Sequence, residues 1–475
     1  MSNANKSIIL IDLPVFPKGV IALSLYTVAA CFKPHYSVSV IDLNMEELPD
    51  AVIANPQNIL FGLKVSAQSF AHAIEVTQKI KSRNPAAIVV WGGELPTLLP
   101  DECLKYAHTI VSGLFEPVAD EFIADLNNHC LKNRYTGANH TGQPLVVPDF
   151  SFMKQPQRYY SFMGLPLETS RGCTEKCIFC MVHQMQKKNY NLKTIDHLRQ
   201  FIKTYEGSFI NVVDYNFGVN EAHVVEVAHL IKNSGAIGWM AEMCIELLDN
   251  DRVLQALSES HCKIIYCGLE SIDQYALNSV HKMNTNHIEN YERIIRKAQS
   301  YGVQVAAGII LGLEGTHPNT FAELYKFFQR VGIIYAKLTF LTYNPGTKVY
   351  EYEKKKGKYV TESLESYDGN RLTFLANGID AQYVAKGTAW FIKKYYSLSG
   401  IIARSFHVRL NFWQRLEFVL FNICYRDVYR QWLAHNTLQQ PQQLQHLIAL
   451  RFTKRTTVAL AEKLLRWVRR KQANT

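Results

Sequence analysis

The sequence predicts an α/β protein in three parts: a parallel sheet with helices on both faces, a partial (β/α)6 barrel, and a mostly helical carboxy-terminal region. Three observations predict it. Short apolar runs alternate with helical-period stretches over residues 7–126. The same alternation resumes near residue 165 and lasts to about 341. Beyond about residue 379, strand-like runs give way to aromatic-rich helical patterning.

In the first part, residues 7–13 (SIILIDL) form an apolar run closed by Pro14 and read as a buried strand. Residues 20–32 are apolar at helical spacing. Strands follow at 36–43, 58–65, 87–91 and 109–112, with helices at 71–82 and 117–126, and Gly92-Gly93 closes the fourth strand. Ligands of such sheets sit at the carboxyl ends of the strands, here residues 13–17, 65–69 and 92–96. Residues 127–163, rich in Asn, Gln, Gly, Pro and Tyr, read as a linker. The second part offers strands at 167–170, 209–214, 238–244, 263–269, 304–311 and 335–341. That number of βα units suits a partial barrel, although periodicity alone does not separate it from an open sheet. A polar turn, KKKGK at 354–358, leads into the helical part, which is broken by a Gln-rich stretch at 439–445. The last helix, 458–471, carries Arg466, Arg469, Arg470 and Lys471. The expected boundaries are 1–126, 127–163, 164–352 and 353–475.

Of the 475 residues, 48% are apolar and 19% charged, a globular composition and not a disordered one. The net charge of +10 permits an acidic partner or an anionic cofactor and demands neither. No signal peptide or uncharged bilayer-length run is evident, so a cytoplasmic setting is expected. There, ten cysteines point to burial, metal binding or catalysis rather than disulfides. Seven of them (Cys31, Cys103, Cys130, Cys244, Cys262, Cys267, Cys424) are scattered and read as buried small hydrophobes.

The other three, Cys173, Cys177 and Cys180, stand in SRGCTEKCIFCMVHQ, directly after a predicted strand. A short loop can fold three thiolates onto three irons of one cluster, and Phe179 can shield it from water. The fourth iron then stays open to an external ligand. A zinc site wants four Cys or His ligands, and His183 is the candidate fourth on that reading.

With this motif the chain resembles the radical S-adenosylmethionine (SAM) enzymes. The resemblance implies a 4Fe–4S cluster on the three cysteines, SAM chelating the open iron, and reductive cleavage to a 5′-deoxyadenosyl radical. Further stretches resemble the family in order. They are VVDYNFGVN at 212–220, with Asp214 and Asn216; YCGLESID at 266–273, with Glu270 and Ser271; GIILGLEGTHPNTF at 308–321, with Gly308 and Gly312; and LTYNPGTKVYE at 341–351. The resemblance implies that these six residues contact SAM. Two departures stand out. Cys244 occupies a third-strand position where relatives often carry Arg, leaving Glu242 to face the cavity. The usual Gly-Gly-Glu after strand two is absent, with Asn220-Glu221 the nearest approach.

Residues 89–123, followed by VPDFSFM and LETSRGC, resemble the cobalamin-binding-domain subfamily, which includes carbon methylases and the anaerobic magnesium-protoporphyrin cyclase. This implies a Rossmann-like cobalamin-type first domain, with Ser66, Gly92 and Gly93 beside the corrin tail. The Asp-x-His-x-x-Gly loop is absent, and SGLFEP at 112–117 keeps only Glu116 of the relatives' Gly-Glu-Gly-Glu. The resemblance implies cobalamin-dependent methylation of an unactivated carbon in a biosynthetic pathway. Its rivals are a radical cyclase, oxidase or rearrangement enzyme, and a non-enzymatic cluster-carrying scaffold. A small-molecule or peptide natural-product substrate and an electron donor such as flavodoxin or ferredoxin are implied as partners. No nucleic acid is expected, because no RNA-binding module is apparent.

Overall fold

The computed structural model describes residues 6–15, 20–138, 146–154, 159, 163–186, 190–282, 286–359, 361, 363–437 and 455–473. The Gln-rich break at 439–445 and part of the loop after the first strand lie outside them. Among the described residues, no helix is long and apolar enough to cross a membrane.

The first sheet comprises β1 (Ser7–Asp12), β2 (Ser37–Asp42), β3 (Asn58–Lys64), β4 (Ile88–Gly92), β5 (Thr109–Gly113) and β6 (Arg134–Gly137). Its order is β2-β1-β3-β4-β5-β6, and the paired strands are parallel. The order reverses between β1 and β3. Loops diverge there and leave a crevice at the carboxyl ends. Two cores flank the sheet, one around Phe32, Phe115 and Phe122, the other around Phe61, Trp91 and Ile80. A strand buried on both faces needs a continuous apolar run, which is why SIILID and IVVW were legible. The sixth strand corrects the expected linker at 127–163. RYTG is too short and too polar to show a period, yet residues 134–137 pair in parallel with β5.

Next come β7 (Leu165–Leu167), β8 (Ser170–Arg171) and β9 (Asn191–Leu192), then β10 (Phe209–Val212), β11 (Gly238–Glu242), β12 (Cys262–Glu270), β13 (Gln304–Leu311) and β14 (Ala336–Phe340). Six of these form a second sheet in the order β14-β13-β12-β11-β10-β7, while β8 and β9 make a separate antiparallel pair. Unreversed order places every crossover helix on one face, so the sheet curls as part of a barrel. Along β12, Cys267 and Leu269 are buried toward the helices, whereas Tyr266, Gly268 and Glu270 face the inner side and stay partly accessible. The helices start on side-chain caps. Asn220, Asn250 and Asp273 each accept a backbone N–H from the first turn.

The edge strand β14 is covered by carboxy-terminal helices Ala381–Tyr395, Leu398–His407 and Phe412–Thr437. The Tyr396 hydroxyl accepts from Ala336 N–H (3.0 Å) and donates to Ala336 C=O (2.8 Å). The Tyr429 hydroxyl accepts from Leu338 N–H (2.8 Å) and donates to the same carbonyl (2.7 Å). The aromatic segment 412–433 therefore packs along the barrel edge. Helix Arg455–Ala473 lies against Phe412–Thr437 and sends Arg469 over the Phe209 ring, 3.5 Å from its centroid.

Candidate functional site

The carboxyl ends of β7 and β10 set the cysteine loop. Asp214, just past β10, accepts from Thr169 N–H (2.7 Å), Thr169 Oγ1 (2.6 Å) and Ser170 Oγ (2.7 Å). Thr169 Oγ1 lies 3.1 Å from His223 Nε2. Burial pushes the Asp214 carboxyl up to about 6 despite these donors, and lowers His223 to about 4. With donors from Thr169 and Ser170, Asp214 acts on the loop. Gly172 then turns the chain at φ +90°, a left-handed conformation that favours glycine, directly ahead of Cys173.

Cys173 Sγ accepts from Glu175 N–H (3.4 Å), and Cys177 C=O accepts from Cys180 N–H (3.2 Å). Ile178 and Phe179 anchor the loop against a cluster containing Leu313 and Tyr343. Burial raises all three thiols, Cys177 to about 12, and the Lys282 ammonium opposes the rise in each. Such thiols ionise only when a cation takes them. All ten cysteines are free. Among the described residues, no three His, Cys, Asp or Glu groups converge on a single metal ion. Thiols that neighbour one another without converging suit a cluster, which spreads its ligands over separate irons, better than zinc. The His183 side chain lies outside the described residues.

Around the loop stand Asn216, Glu270 and Cys244, noted in the sequence, together with Lys282 and Asn286, which the sequence did not single out. Asn216, 5% exposed, accepts from Gly218 N–H (3.2 Å) and Cys244 N–H (3.3 Å), while its amide donates to Cys244 Sγ (3.3 Å) and to Cys173. Cys244 is thus a neighbour of the triplet and not simply a core filler. Lys282 Nζ lies 3.7 Å from Glu270 Oε1. Burial works against the Lys282 charge, but Glu270 and the cysteines outweigh it and raise its pKa. Glu270 sits at φ +60° at the end of β12, a conformation costing a non-glycine residue about 1–3 kcal/mol. Asn286 fixes it by donating to Gly268 C=O (2.9 Å) and Leu269 C=O (3.1 Å). Such strain clusters at working sites.

The other expected contacts fall out differently. The Ser271 hydroxyl accepts from Asp273 N–H (3.0 Å) and so holds the turn after β12. A Cβ on Gly308 would lie 2.1 Å from the Tyr266 hydroxyl, so this glycine makes room for Tyr266. Gly312 is buried at φ +81°. Glu242 is surrounded by protein yet its side chain stays accessible, as for a group lining an internal space. Burial raises it to about 7, with Lys337 opposing.

A second feature lies where the two sheets meet. A cavity of ≈ 360 Å³ runs from the carboxyl ends of β3, β4 and β5 to the segment before the cysteines. Ser66, Gly92 and Gly93 line one side, and Glu168, Arg171 and Tyr215 the other. Its depth is apolar, with Leu10, Val90 and Phe122. Gly93, at φ +111°, could not carry a Cβ, which would lie 2.8 Å from Val65 C=O. A Cβ on Gly92 would meet nothing nearer than Val111 at 4.0 Å, so its face stays open for a ligand to approach. Among the described residues, no histidine lines the cavity. Arg171 bridges its walls. Nε donates to Glu168 (2.8 Å), Nη2 to Glu116 (2.7 Å), and Lys193 adds a 2.9 Å pair with Glu168. The remaining nitrogen, Nη1, is buried without a partner.

Residues 167–328 match the family model described as the radical SAM superfamily. The central unit is a radical SAM domain. The chain is 22% identical over 332 residues to the bacteriochlorophyllide d C-12(1)-methyltransferase of Chlorobaculum tepidum, covering 68% of this chain and 72% of that enzyme. It is 28% identical over 214 residues to the hopanoid C-2 methylase of Rhodopseudomonas palustris, covering 43% and 39%. Among solved structures, the radical SAM methyltransferase TsrM of Kitasatospora setae, with cobalamin and a 4Fe–4S cluster bound, aligns at TM-score 0.62 and 15% identity, covering 81% of this chain and 90% of that one. The cobalamin-dependent radical enzyme OxsB, with aqua-cobalamin and SAM bound, aligns at 0.66 and 14%, covering 99% and 80%. At these identities the two structures share a fold with this chain, and the radical SAM domain sits in that fold beside a second parallel sheet. The residues present fit the groups named there. Three spaced, unpaired thiols suit a cluster, and a glycine-faced apolar cavity suits the edge of a large flat cofactor.

Proposed function

We propose that the protein is a radical SAM enzyme that methylates an unactivated carbon of a small-molecule or peptide natural product. Cys173, Cys177 and Cys180 hold the cluster, and the cavity beside Ser66, Gly92 and Gly93 takes cobalamin. When bound, cluster and SAM supply a 5′-deoxyadenosyl radical and the corrin supplies the methyl group. The observation that carries this reading is the shared cavity wall: Ser170 and Arg171, just ahead of Cys173, also line the cavity at the carboxyl ends of the first sheet.

The chain's own groups have definable tasks. Asp214 fixes the approach to Cys173 through Thr169 and Ser170. Lys282 stands among the cysteines and suits a ligand carboxylate at the open corner, with Glu270 holding it in place. Glu242, raised to about 7, can give or take a proton inside the barrel. The described lining of the cavity would hold the corrin by shape and backbone amide contacts. The working units are residues 1–126, extended by β6, then 164–352 and 353–475. Electrons come from a flavodoxin- or ferredoxin-like donor, and the setting is cytoplasmic.

Anaerobic reconstitution with iron, sulfide and hydroxocobalamin, followed by reduction with SAM, tests this. A bound corrin spectrum with both 5′-deoxyadenosine and S-adenosylhomocysteine as products is expected. 5′-Deoxyadenosine alone would favour a cyclase, oxidase or rearrangement enzyme, and a bound cluster with neither product would leave only a scaffold.

A further inference from the structure

The carboxy-terminal helices carry an exposed face that this chemistry does not use. Nine of the fifteen large apolar side chains that are exposed among the described residues lie between residues 390 and 467. Helix Leu398–His407 turns Leu398, Ile402 and Phe406 outward at i, i+4 and i+8. Helix Arg455–Ala473 turns Leu460, Leu464 and Trp467 outward at i, i+4 and i+7. The second helix buries a separate stripe, Val458, Ala461, Leu465 and Val468, so its outer stripe is not explained by packing. The two outer stripes are joined by aromatics. Trp413 lies 5.5 Å from Trp467 and 5.1 Å from Phe412, and the Arg415 guanidinium sits 4.1 Å over the Phe406 ring. Phe412 is 72% exposed and Phe406 65%, and with their neighbours they make a contiguous apolar patch of the kind that marks an interaction surface.

Charge identifies the occupant. Residues 398–419 and 455–473 contain nine Lys and Arg but only two acids, Glu417 and Glu462. Glu417 is buried against Arg469 (2.8 Å), and Glu462 is half-buried. Arg409, Lys463, Arg466 and Arg470 are exposed among the apolar groups. Two copies meeting through this face would bring like charges together. Exposed Leu and Ile do nothing for a phosphodiester backbone. Trp and Phe interleaved with Arg and Lys match the interfacial zone of a bilayer.

We propose that this face seats the protein on a membrane surface bearing anionic headgroups. The geometry suits a docked enzyme. Arg404, behind the first stripe, bonds Ile333 C=O (3.2 Å) just before β14, and Gln472 accepts from Lys263 (2.7 Å) near the start of β12. The face therefore lies at the amino-terminal side of the second sheet, opposite the cysteine loop, and docking leaves the site uncovered.

Co-sedimentation of the full chain with vesicles tests this, using phosphatidylcholine alone or with phosphatidylglycerol at about 3:1. Binding to the anionic vesicles and much weaker binding to the neutral ones are expected. Arg466→Gln with Arg470→Gln should lower partitioning about 30-fold, and Trp413→Ser with Trp467→Ser about tenfold or more. Unchanged iron content and circular dichroism would show that these variants fold. The proposal is overturned if the wild type ignores anionic vesicles or binds both compositions equally, or if folded variants bind as well as the wild type. It is also overturned if sedimentation velocity shows a dimer that the same variants dissociate without any vesicle binding.

Discussion

The two sheets are built from the same βα repeat, and they make opposite kinds of site. In the first, strand order reverses between β1 and β3, and the crevice opens over glycines and aliphatic side chains. In the second, strand order never reverses, the sheet curls, and its inner face carries Glu242, Tyr266, Glu270 and Lys337, with Lys282 close by. The crevice's charged wall residues are paired off, Arg171 with Glu116 and Glu168 and Lys64 beside Glu94, so its apolar depth selects by shape. A curled sheet brings strand ends together and selects by charge, because like and unlike groups are forced within reach of one another. Topology thus decides which kind of chemistry a βα repeat can host.

The largest effect is expected at the curled sheet. Replacing Cys173, Cys177 and Cys180 together with Ala should abolish iron binding and SAM cleavage, read by iron analysis and 5′-deoxyadenosine release, while the crevice still binds hydroxocobalamin. Persisting SAM cleavage would sink the cluster assignment. Next, Lys282→Met leaves Glu270 without its cation in a buried setting, and about 3–5 kcal/mol of stability should be lost in urea titration. Adding Glu270→Gln should restore much of it if the two act as a pair.

A third test concerns pH. His223 is held neutral, lowered by burial to about 4. Between pH 6.5 and 4 the unfolded chain binds a proton at this residue that the folded chain refuses, so the folded state loses stability as pH falls through that window. Relative to His223→Gln, the wild type should lose about 3 kcal/mol over it. A constant gap between the two proteins would mean that the imidazole is not shielded. The smallest effect belongs to the crevice. Gly92→Leu, placed where a Cβ meets open space, should weaken hydroxocobalamin binding about tenfold by absorbance titration and leave iron content unchanged. Equal binding would move the corrin elsewhere.

The same contrast explains what was legible in the sequence. Strands buried on both faces announce themselves as apolar runs, so β1, β3 and β4 could be read directly, and the cysteine spacing exposed the loop. β6 could not, because four residues of RYTG hold no period. Lys282 could not, because it follows a helix end at no fixed distance from the cysteines and meets them only through the curl of the sheet. Cys244 looked like one scattered thiol among seven, and Asn216 alone reveals its company. Asp214 and Ser271 were noticed for the right neighbourhood, but their polar atoms turn out to hold backbone and loop. Spacing shows which residues travel together in sequence; it does not show which ones a fold brings face to face.

The phenols of Tyr396 and Tyr429 have a further consequence. A sheet usually ends by closing on itself, by bristling with charge or by hiding under a helix. β14 ends in hydroxyl groups that both give and receive, so each bare amide or carbonyl they reach is answered singly. No repeating ladder is left there for a stranger's strand to zip onto. The arc can stop at six strands without becoming an adhesive edge, and the carboxy-terminal helices fill the flank where a further strand would pair. Two phenol oxygens, with the Gly369 carbonyl that takes the Phe340 N–H, end the sheet at its sixth strand.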